Sequence, residues 1–407
     1  MYQKEQIERI KDELESNLYG NTNSVSPSAI KSDNVINEMR LKVLKWFNAD
    51  PNKYILVFTS GTTGGLKIVG ETFPWSDKSE YVYTLANHNS VLGIREYAGK
   101  KYPLDLINKV HELNNKQTTK QINKWLVLLD AAAFVPTANL DLSQYPADYV
   151  TLSFYKMFGV PSGIGALIMT KQAANILQKN YFSGGTVQFS VANEKFHQWK
   201  PDLFAKFEDG TIGFLNVAGL RHGFSALEKV GGMEQITKHT FSLEDYLWNE
   251  MKEVKHDNGK PLFEFYGDHG PIINFNVIDK NGEYFGYVDI ATLATQKNIH
   301  LRTGCACNPG ACYDYLNIPS DLIKETAANV LKSTYKQKLD FVNGRPIGSI
   351  RISFGYISTF EDAEIVYNFF TKTFRNKNVQ QFLDEMELTQ KQYINEENEK
   401  KQFEKEV

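Results

Sequence analysis

Tyr54-Ile55-Leu56-Val57-Phe58 runs directly into Thr59-Ser60-Gly61-Thr62-Thr63-Gly64-Gly65 and then into Leu66-Lys67-Ile68-Val69. A short apolar run bounded by turn residues reads as a buried strand, and the glycine-rich stretch after it reads as the turn that opens a helix. The first N–H groups of a helix have no partner within it, so such a turn binds phosphate well, and threonine hydroxyls add donors. The spacing is neither a Walker A loop nor a dinucleotide fingerprint. A tight strand-to-helix connection is the plain alternative.

Further strands are expected on the C-terminal side of this segment: Val82 to Thr84, with a loop at Asn87-His88-Asn89-Ser90; Trp125 to Leu129, ending at Asp130; Tyr149 to Phe154, followed by Tyr155-Lys156; and Ile164 to Met169. Strands separated by helical or loop segments predict an α/β fold with a mostly parallel sheet. On the other side, Ile7, Ile10, Leu14 and Leu18 recur at helical spacing, residues 23–33 read as loop, and Val35 to Phe47 reads as a second helix. The texture changes after Gly219-Leu220. Helical patterns cover Phe224 to Val254, with short strands expected at Ile272–Val277 and Ile350–Phe354. The predicted organisation is a helix over 1–20 packing on the small domain, a large domain over 21–216, a smaller α+β domain over 217–385 and a charged tail over 386–407.

A chain of 407 residues fits two unequal domains. Its net charge of −3 gives no basic field for nucleic acid or an anionic membrane. No apolar run approaches the ~20 residues of a membrane span, and the polar start Met1-Tyr2-Gln3-Lys4-Glu5 does not read as a signal peptide. The 3 cysteines lie between Cys305 and Cys312. An odd, clustered set is a poor disulfide framework, so the cluster reads as kept for chemistry in a reducing, cytoplasmic setting.

Asp130 and Lys156 each close an apolar strand. Strand C-termini of a parallel sheet converge on one edge, where ligands bind. An amine there can form a Schiff base, and a carboxylate can hold a protonated pyridine nitrogen. Singly, Lys156 also reads as a surface lysine and Asp130 as a helix cap. Together with a phosphate-type turn they supply the three needs of one cofactor. His88, between the turn and Asp130, offers a flat ring for stacking or a proton shuttle; a hydrogen-bonded loop histidine is the alternative. In Arg302-Thr303-Gly304-Cys305-Ala306-Cys307-Asn308-Pro309-Gly310-Ala311-Cys312 three readings stand open: a nucleophilic thiol favoured by Arg302, a zinc site short of a fourth ligand, and inert loop cysteines. Arg351 alternates with apolar residues in Ile350-Arg351-Ile352-Ser353-Phe354. It would clamp a substrate carboxylate or pair with an acid of the protein.

These blocks resemble the class V aminotransferase/cysteine desulfurase superfamily, and within it the desulfurase domain of molybdenum cofactor sulfurases. The resemblance rests on Phe58 to Thr63, Asn87 to Gly93, Leu129-Asp130-Ala131-Ala132, Ser153-Phe154-Tyr155-Lys156-Met157-Phe158-Gly159, Phe207 to Ile212, Arg302 to Cys312, and Arg351 to Tyr356. The Ser-Phe-Tyr-Lys block and the Cys-x-Cys-Asn-Pro-Gly-Ala-Cys loop are specific to that subfamily. The resemblance implies fold type I with a seven-stranded type of sheet, pyridoxal 5'-phosphate as cofactor, and a homodimer. It implies Lys156 as the Schiff-base lysine, Asp130 at the pyridine nitrogen, and His88 stacked on the ring. Thr62, Thr63 and Ser153 become phosphate donors, Thr211 a donor to the neighbouring subunit's phosphate, and Arg351 the substrate-carboxylate clamp. The superfamily nucleophile follows its Arg-x-Gly pair at a fixed offset, which selects Cys307 over Cys305. The expected reaction takes L-cysteine to L-alanine and leaves sulfur on Cys307 as a persulfide, for a separate sulfur-acceptor protein. The alternative is a class V aminotransferase or amino-acid lyase that does not use Cys307. The chain departs from the family in lacking its opening Asp-His-Ala block and a C-terminal cofactor-binding domain. It also carries Ala328 to Lys332 where a Gly-His-x-Cys pattern is usual.

Overall fold

A computed structural model describes residues 2–98, 100–103, 125–267, 270, 272–332 and 340–387. The charged tail expected over 386–407 lies outside the described residues from position 388 onward. The chain forms two compact units, Met1–Lys238 and His239–Val407.

The first unit opens with α1 (Tyr2–Ser16) and α2 (Pro27–Trp46). The loop expected over 23–33 gives way at Pro27, because Ser26 Oγ accepts the N–H of Ala29 and Pro27 occupies the first turn, where its missing N–H costs nothing. There follow β1 (Tyr54–Thr59), α3 (Thr62–Thr72), β2 (Glu80–Tyr83), α4 (Asn89–Leu92), β3 (Lys100–Pro103), β4 (Leu128–Asp130), β5 (Tyr149–Ser153), α5 (Phe154–Phe158), β6 (Gly165–Thr170), α6 (Lys171–Ile176), the hairpin β7 (Val187–Val191) and β8 (Phe196–Trp199), and α7 (Phe214–Lys229). The central sheet has the order β1-β6-β5-β4, and β2 and β3 form a separate parallel pair. Strand β6 is antiparallel to both β1 and β5, while β4 and β5 are parallel. Strands β1, β4 and β5 therefore point the same way and end at one edge, on Thr59, Asp130 and Ser153. Every residue of β5 and β6 is buried, as expected of strands covered on both faces. Trp125 to Val127 lie outside the strand expected there.

Helix α7 packs on α1 and α2, so the division between units falls beyond it, within α8 (Gly232–Lys252), rather than near residue 217. Glu13 of α1 meets Arg221 and His222 of α7 at 3.5 Å each and accepts from the Tyr19 hydroxyl. Burial holds His222 below its ordinary pKa, against the opposing pull of Glu13. The unfolded chain then takes up this proton first as pH falls through about 6.5, so docking loses stability from there down to the folded value and levels off below it. Hydrogen exchange of the α1 amides, corrected for intrinsic rates, should be faster at about pH 5.5 than at about pH 7.5; equal protection would contradict this.

The second unit carries most of α8, β9 (Phe263–Phe265), β10 (Ile272–Val277), α9 (Tyr287–Gln296), β11 (Arg302–Gly304), α10 (Pro309–Tyr315), α11 (Ser320–Lys332), the short pair β12 (Phe341–Val342) and β13 (Arg345–Pro346), β14 (Ser349–Ser353) and α12 (Phe360–Phe374). Its sheet, of order β11-β14-β10-β9, is antiparallel throughout. The core is built from phenylalanines in edge-to-face contact. Phe275 meets Phe370 at 5.1 Å and Phe263 at 5.4 Å, and Phe285 meets Phe374 at 5.0 Å.

Candidate active site

Gly61 joins the end of β1 to the start of α3. It caps α3 in a left-handed conformation (φ 111°) that glycine adopts freely, and no side chain caps the helix. Gly61 crosses directly over Gly165, the first residue of β6. A Cβ on Gly165 would lie 2.6 Å from the Gly61 Cα and 2.3 Å from the Leu152 carbonyl oxygen. That close approach sets the first turn of α3 against the end of β5. The N–H of Thr62 donates to Ser153 Oγ at 2.8 Å, and the Thr62 and Ser153 hydroxyls lie 2.9 Å apart. Since both obstructing groups are backbone, Gly165→Ala should lower stability by about 1–3 kcal/mol and weaken anion binding at the turn. Unchanged urea midpoint and phosphate affinity would contradict the crossing.

The hydroxyls continue outward. Thr63 Oγ1 meets Ser90 Oγ at 2.9 Å, and the Ser90 N–H donates to His88 Nδ1 at 3.1 Å. His88 thus caps α4 with Nδ1 as acceptor, so the neutral ring carries its proton on Nε2. Asp130, at the end of β4, accepts the Ala132 N–H at 3.0 Å in a local turn, and no helix starts there for it to cap. Its other oxygen has no hydrogen bond among the described residues. The nearby carboxylate contributes to raising the Tyr81 phenol, which burial chiefly pushes far up.

Lys156 stands three residues past Ser153 on α5, where Phe154, Met157 and Phe158 are buried and Tyr155 and Lys156 are exposed. The buried face is fixed by aromatic packing, with Phe224 5.4 Å from Phe158 and 6.0 Å from Phe154. The amine is therefore held by its helix and has no ion pair or hydrogen bond among the described residues. Thr211 is exposed, with Asn23 and Asn21 at 3.4 and 3.5 Å.

Several contributors were not singled out from sequence. Ser90 links the turn to His88. Arg40 and Glu208 form a buried bidentate ion pair at 2.8 and 2.5 Å, in which Glu208 also accepts the Phe58 N–H and Arg40 donates to the Leu56 carbonyl. The pair pins the end of β1 to the segment that leads into Thr211. A basic residue at a buried position of α2 was the one available signal.

In the second unit, Arg302 of β11 lies opposite Arg351 of β14. Burial and the neighbouring Arg302 push the Arg351 guanidinium below its ordinary pKa, while Cys307 pulls it back. Arg351 is paired with no carboxylate among the described residues, and its buried Nε has no hydrogen-bond partner. A half-buried cation so placed suits an anionic partner. Cys307 is exposed and its thiol is free. Cys305 and Cys312, in contrast, are joined as a disulfide, with Cα atoms 5.3 Å apart. This corrects the expectation that the cluster forms no disulfide. Asn308 caps α10 and turns the chain so that the two sulfurs meet across seven residues. Among the described residues, no group of three or more His, Cys, Asp or Glu is arranged to hold a metal.

The first-unit donors suit a phosphorylated pyridine. An uncapped helix N-terminus with hydroxyls from Thr62, Thr63 and Ser153 suits the phosphate. A carboxylate with an open oxygen suits a ring nitrogen, and a free amine suits an aldehyde. The family model described as aminotransferase class-V matches residues 2–116 and 106–366. The chain belongs to the class-V aminotransferase family. Among family relatives, a molybdenum cofactor sulfurase of Oryza sativa subsp. japonica is 39% identical over 93% of this chain and 55% of its own length. A molybdenum cofactor sulfurase of Bos taurus is 36% identical over 92% and 49%. The chain spans about half the length of these curated relatives. An apo cysteine desulfurase of Thermococcus onnurineus NA1 superposes with a TM-score of 0.69 at 17% identity, covering 89% of this chain and 90% of that one. The cystine C–S lyase C-DES, in complex with its product cysteine persulfide, superposes with a TM-score of 0.64 at 16% identity, covering 92% and 94%. The fold is theirs, the fold type I that the sequence blocks imply. No helix among the described residues is long and apolar enough to cross a membrane.

Proposed function

We propose that the chain binds pyridoxal 5'-phosphate in its first unit and removes sulfur from L-cysteine, giving L-alanine and a persulfide on Cys307. The observation that carries this reading is the exposed, free Cys307 thiol within the electrostatic reach of Arg351, in a chain 39% identical to a molybdenum cofactor sulfurase. The cofactor, when bound, supplies a sink for the electron pair left at the amino-acid α carbon. The N-terminus of α3, with Thr62, Thr63 and Ser153, binds its phosphate; Thr211 does so from a second copy of the chain. Asp130 holds a proton at the pyridine nitrogen, and His88 presents its flat ring to the cofactor. Arg351 binds the substrate carboxylate. The Lys156 amine accepts the α proton and returns a proton to the product. The Cys307 thiolate attacks the substrate sulfur. The carbon–sulfur bond breaks as the sulfur–sulfur bond forms, the thiol becomes a persulfide, and the carbon skeleton leaves as alanine.

The homodimer, the cytoplasmic setting and a separate sulfur-acceptor protein belong to the same reading. Cys307→Ala is expected to abolish alanine and sulfide formation from L-cysteine in the cofactor-loaded protein. Turnover left intact in that variant would instead favour an aminotransferase or lyase that has no need of Cys307.

A further inference from the structure

The 3 cysteines of this chain, Cys305, Cys307 and Cys312, lie within one short segment, the last of them in the first turns of α10. Cys305 and Cys312 bracket Cys307 and are paired with each other. Between them the chain turns tightly. Ala306 and Cys307 both take left-handed conformations (φ 49° and 61°), and the Asn308 N–H donates to the Cys305 carbonyl at 2.8 Å. Cys307 projects outward, while Cys312 is buried beside Leu316 and Ile318 with Cys305 packed against them. The proposed function uses Cys307 alone and assigns nothing to the bracketing pair.

We propose that Cys305 and Cys312, as a dithiol, reduce the sulfane sulfur carried on Cys307 to sulfide and end as the disulfide of this structure. The oxidation state of the pair then decides whether sulfur leaves the protein or stays on Cys307. The inference rests on the reading given above, in which L-cysteine supplies that sulfur. One thiolate of the pair takes the outer sulfur from the Cys307 persulfide, and Cys307 departs as thiolate. The other thiolate attacks the inner sulfur of the new persulfide and expels hydrosulfide, and the Cys305–Cys312 bond forms. Two thiols lose two electrons, and one sulfane sulfur gains them as sulfide. The two thiol protons and the persulfide proton end on the sulfide and on Cys307. Both ends of the pair lie within bonding reach in the folded chain, at a Cα separation inside the ordinary range for disulfides. A further round requires an external thiol or dithiol to reopen the pair. With the pair oxidised, nothing in the loop can reduce the Cys307 persulfide, and its sulfur is kept for transfer.

The test compares two preparations of the unmodified chain saturated with pyridoxal 5'-phosphate, one with the pair reduced and freed anaerobically of reductant, the other with the disulfide intact. Each receives one molar equivalent of L-cysteine. Alanine, sulfide, titratable thiols and intact protein mass are then measured. The reduced form should release sulfide matching its alanine and lose two titratable thiols. The oxidised form should form alanine but gain the mass of one sulfur atom on Cys307, with sulfide per alanine lower by more than about tenfold. Cys305→Ser/Cys312→Ser, under reducing preparation, should behave as the oxidised form does. Equal sulfide per alanine from the two preparations, or sulfide released with no loss of thiols, would overturn the inference while leaving the desulfurase reading standing. Absence of alanine from both preparations would overturn that reading and this inference with it.

Discussion

Lys156→Ala is expected to lower alanine formation from L-cysteine by about 10²–10⁴-fold on proton transfer alone, and by more where covalent attachment of the cofactor is also lost. The helix that carries the amine explains why the effect should be confined to chemistry. Phe154, Met157 and Phe158 anchor α5 in the core, whereas Lys156 is exposed and makes no ion pair or hydrogen bond among the described residues. Truncating it removes no packing and strands no buried partner. The thermal midpoint without cofactor should therefore stay within the small range usual for surface substitutions. The visible absorption of the protein incubated with pyridoxal 5'-phosphate should disappear. A variant that keeps both the absorption and the turnover would place the reactive amine on another lysine.

Glu208→Ala acts on stability instead. Its carboxylate is buried and carries three hydrogen bonds, two from Arg40 and one from the Phe58 N–H. Removing it leaves the Arg40 guanidinium buried without its counter-charge, although the ring faces of Phe204 and Phe58 lie 4.0 and 4.9 Å away. Losing one partner of a buried pair costs about 3–5 kcal/mol, more than the pair itself contributes. The urea midpoint of the transition that reports on the first unit should fall accordingly. Replacing both partners by apolar residues of similar volume, as in Arg40→Met with Glu208→Leu, should recover only part of the loss, because the Leu56 carbonyl and the Phe58 N–H still lose their partners. A loss below about 1 kcal/mol for Glu208→Ala, the level of an exposed pair, would show that water screens the site.

The local elements that carry the candidate site were legible in the sequence. The apolar run Tyr54 to Phe58 and the glycines after it read as a strand, a turn and a helix, and β1 and α3 form there; Asp130 ends β4, and Lys156 lies on α5 just past β5. What escaped depends on long-range pairing. Alternation and apolar runs do not encode strand direction, so the antiparallel β6 between β1 and β5 could not be foreseen. Arg40 and Glu208 lie 168 positions apart. The return of Cys312 to Cys305 depends on the turn that Asn308 caps, and cysteine counting does not see a turn. The early start of α2 was different in kind. Ser26-Pro27 is a local start signal, and the surrounding Ser, Pro and Asn residues masked it.

Reduction of the cofactor-incubated protein with borohydride, followed by peptide mapping, asks most directly whether Lys156, Asp130 and the Thr62 turn serve one pyridoxal 5'-phosphate. A pyridoxyl group found on Lys156 alone, and lost when inorganic phosphate at high concentration competes for the turn, is the predicted result. A pyridoxyl group spread over surface lysines, or absent from Lys156, would contradict the account.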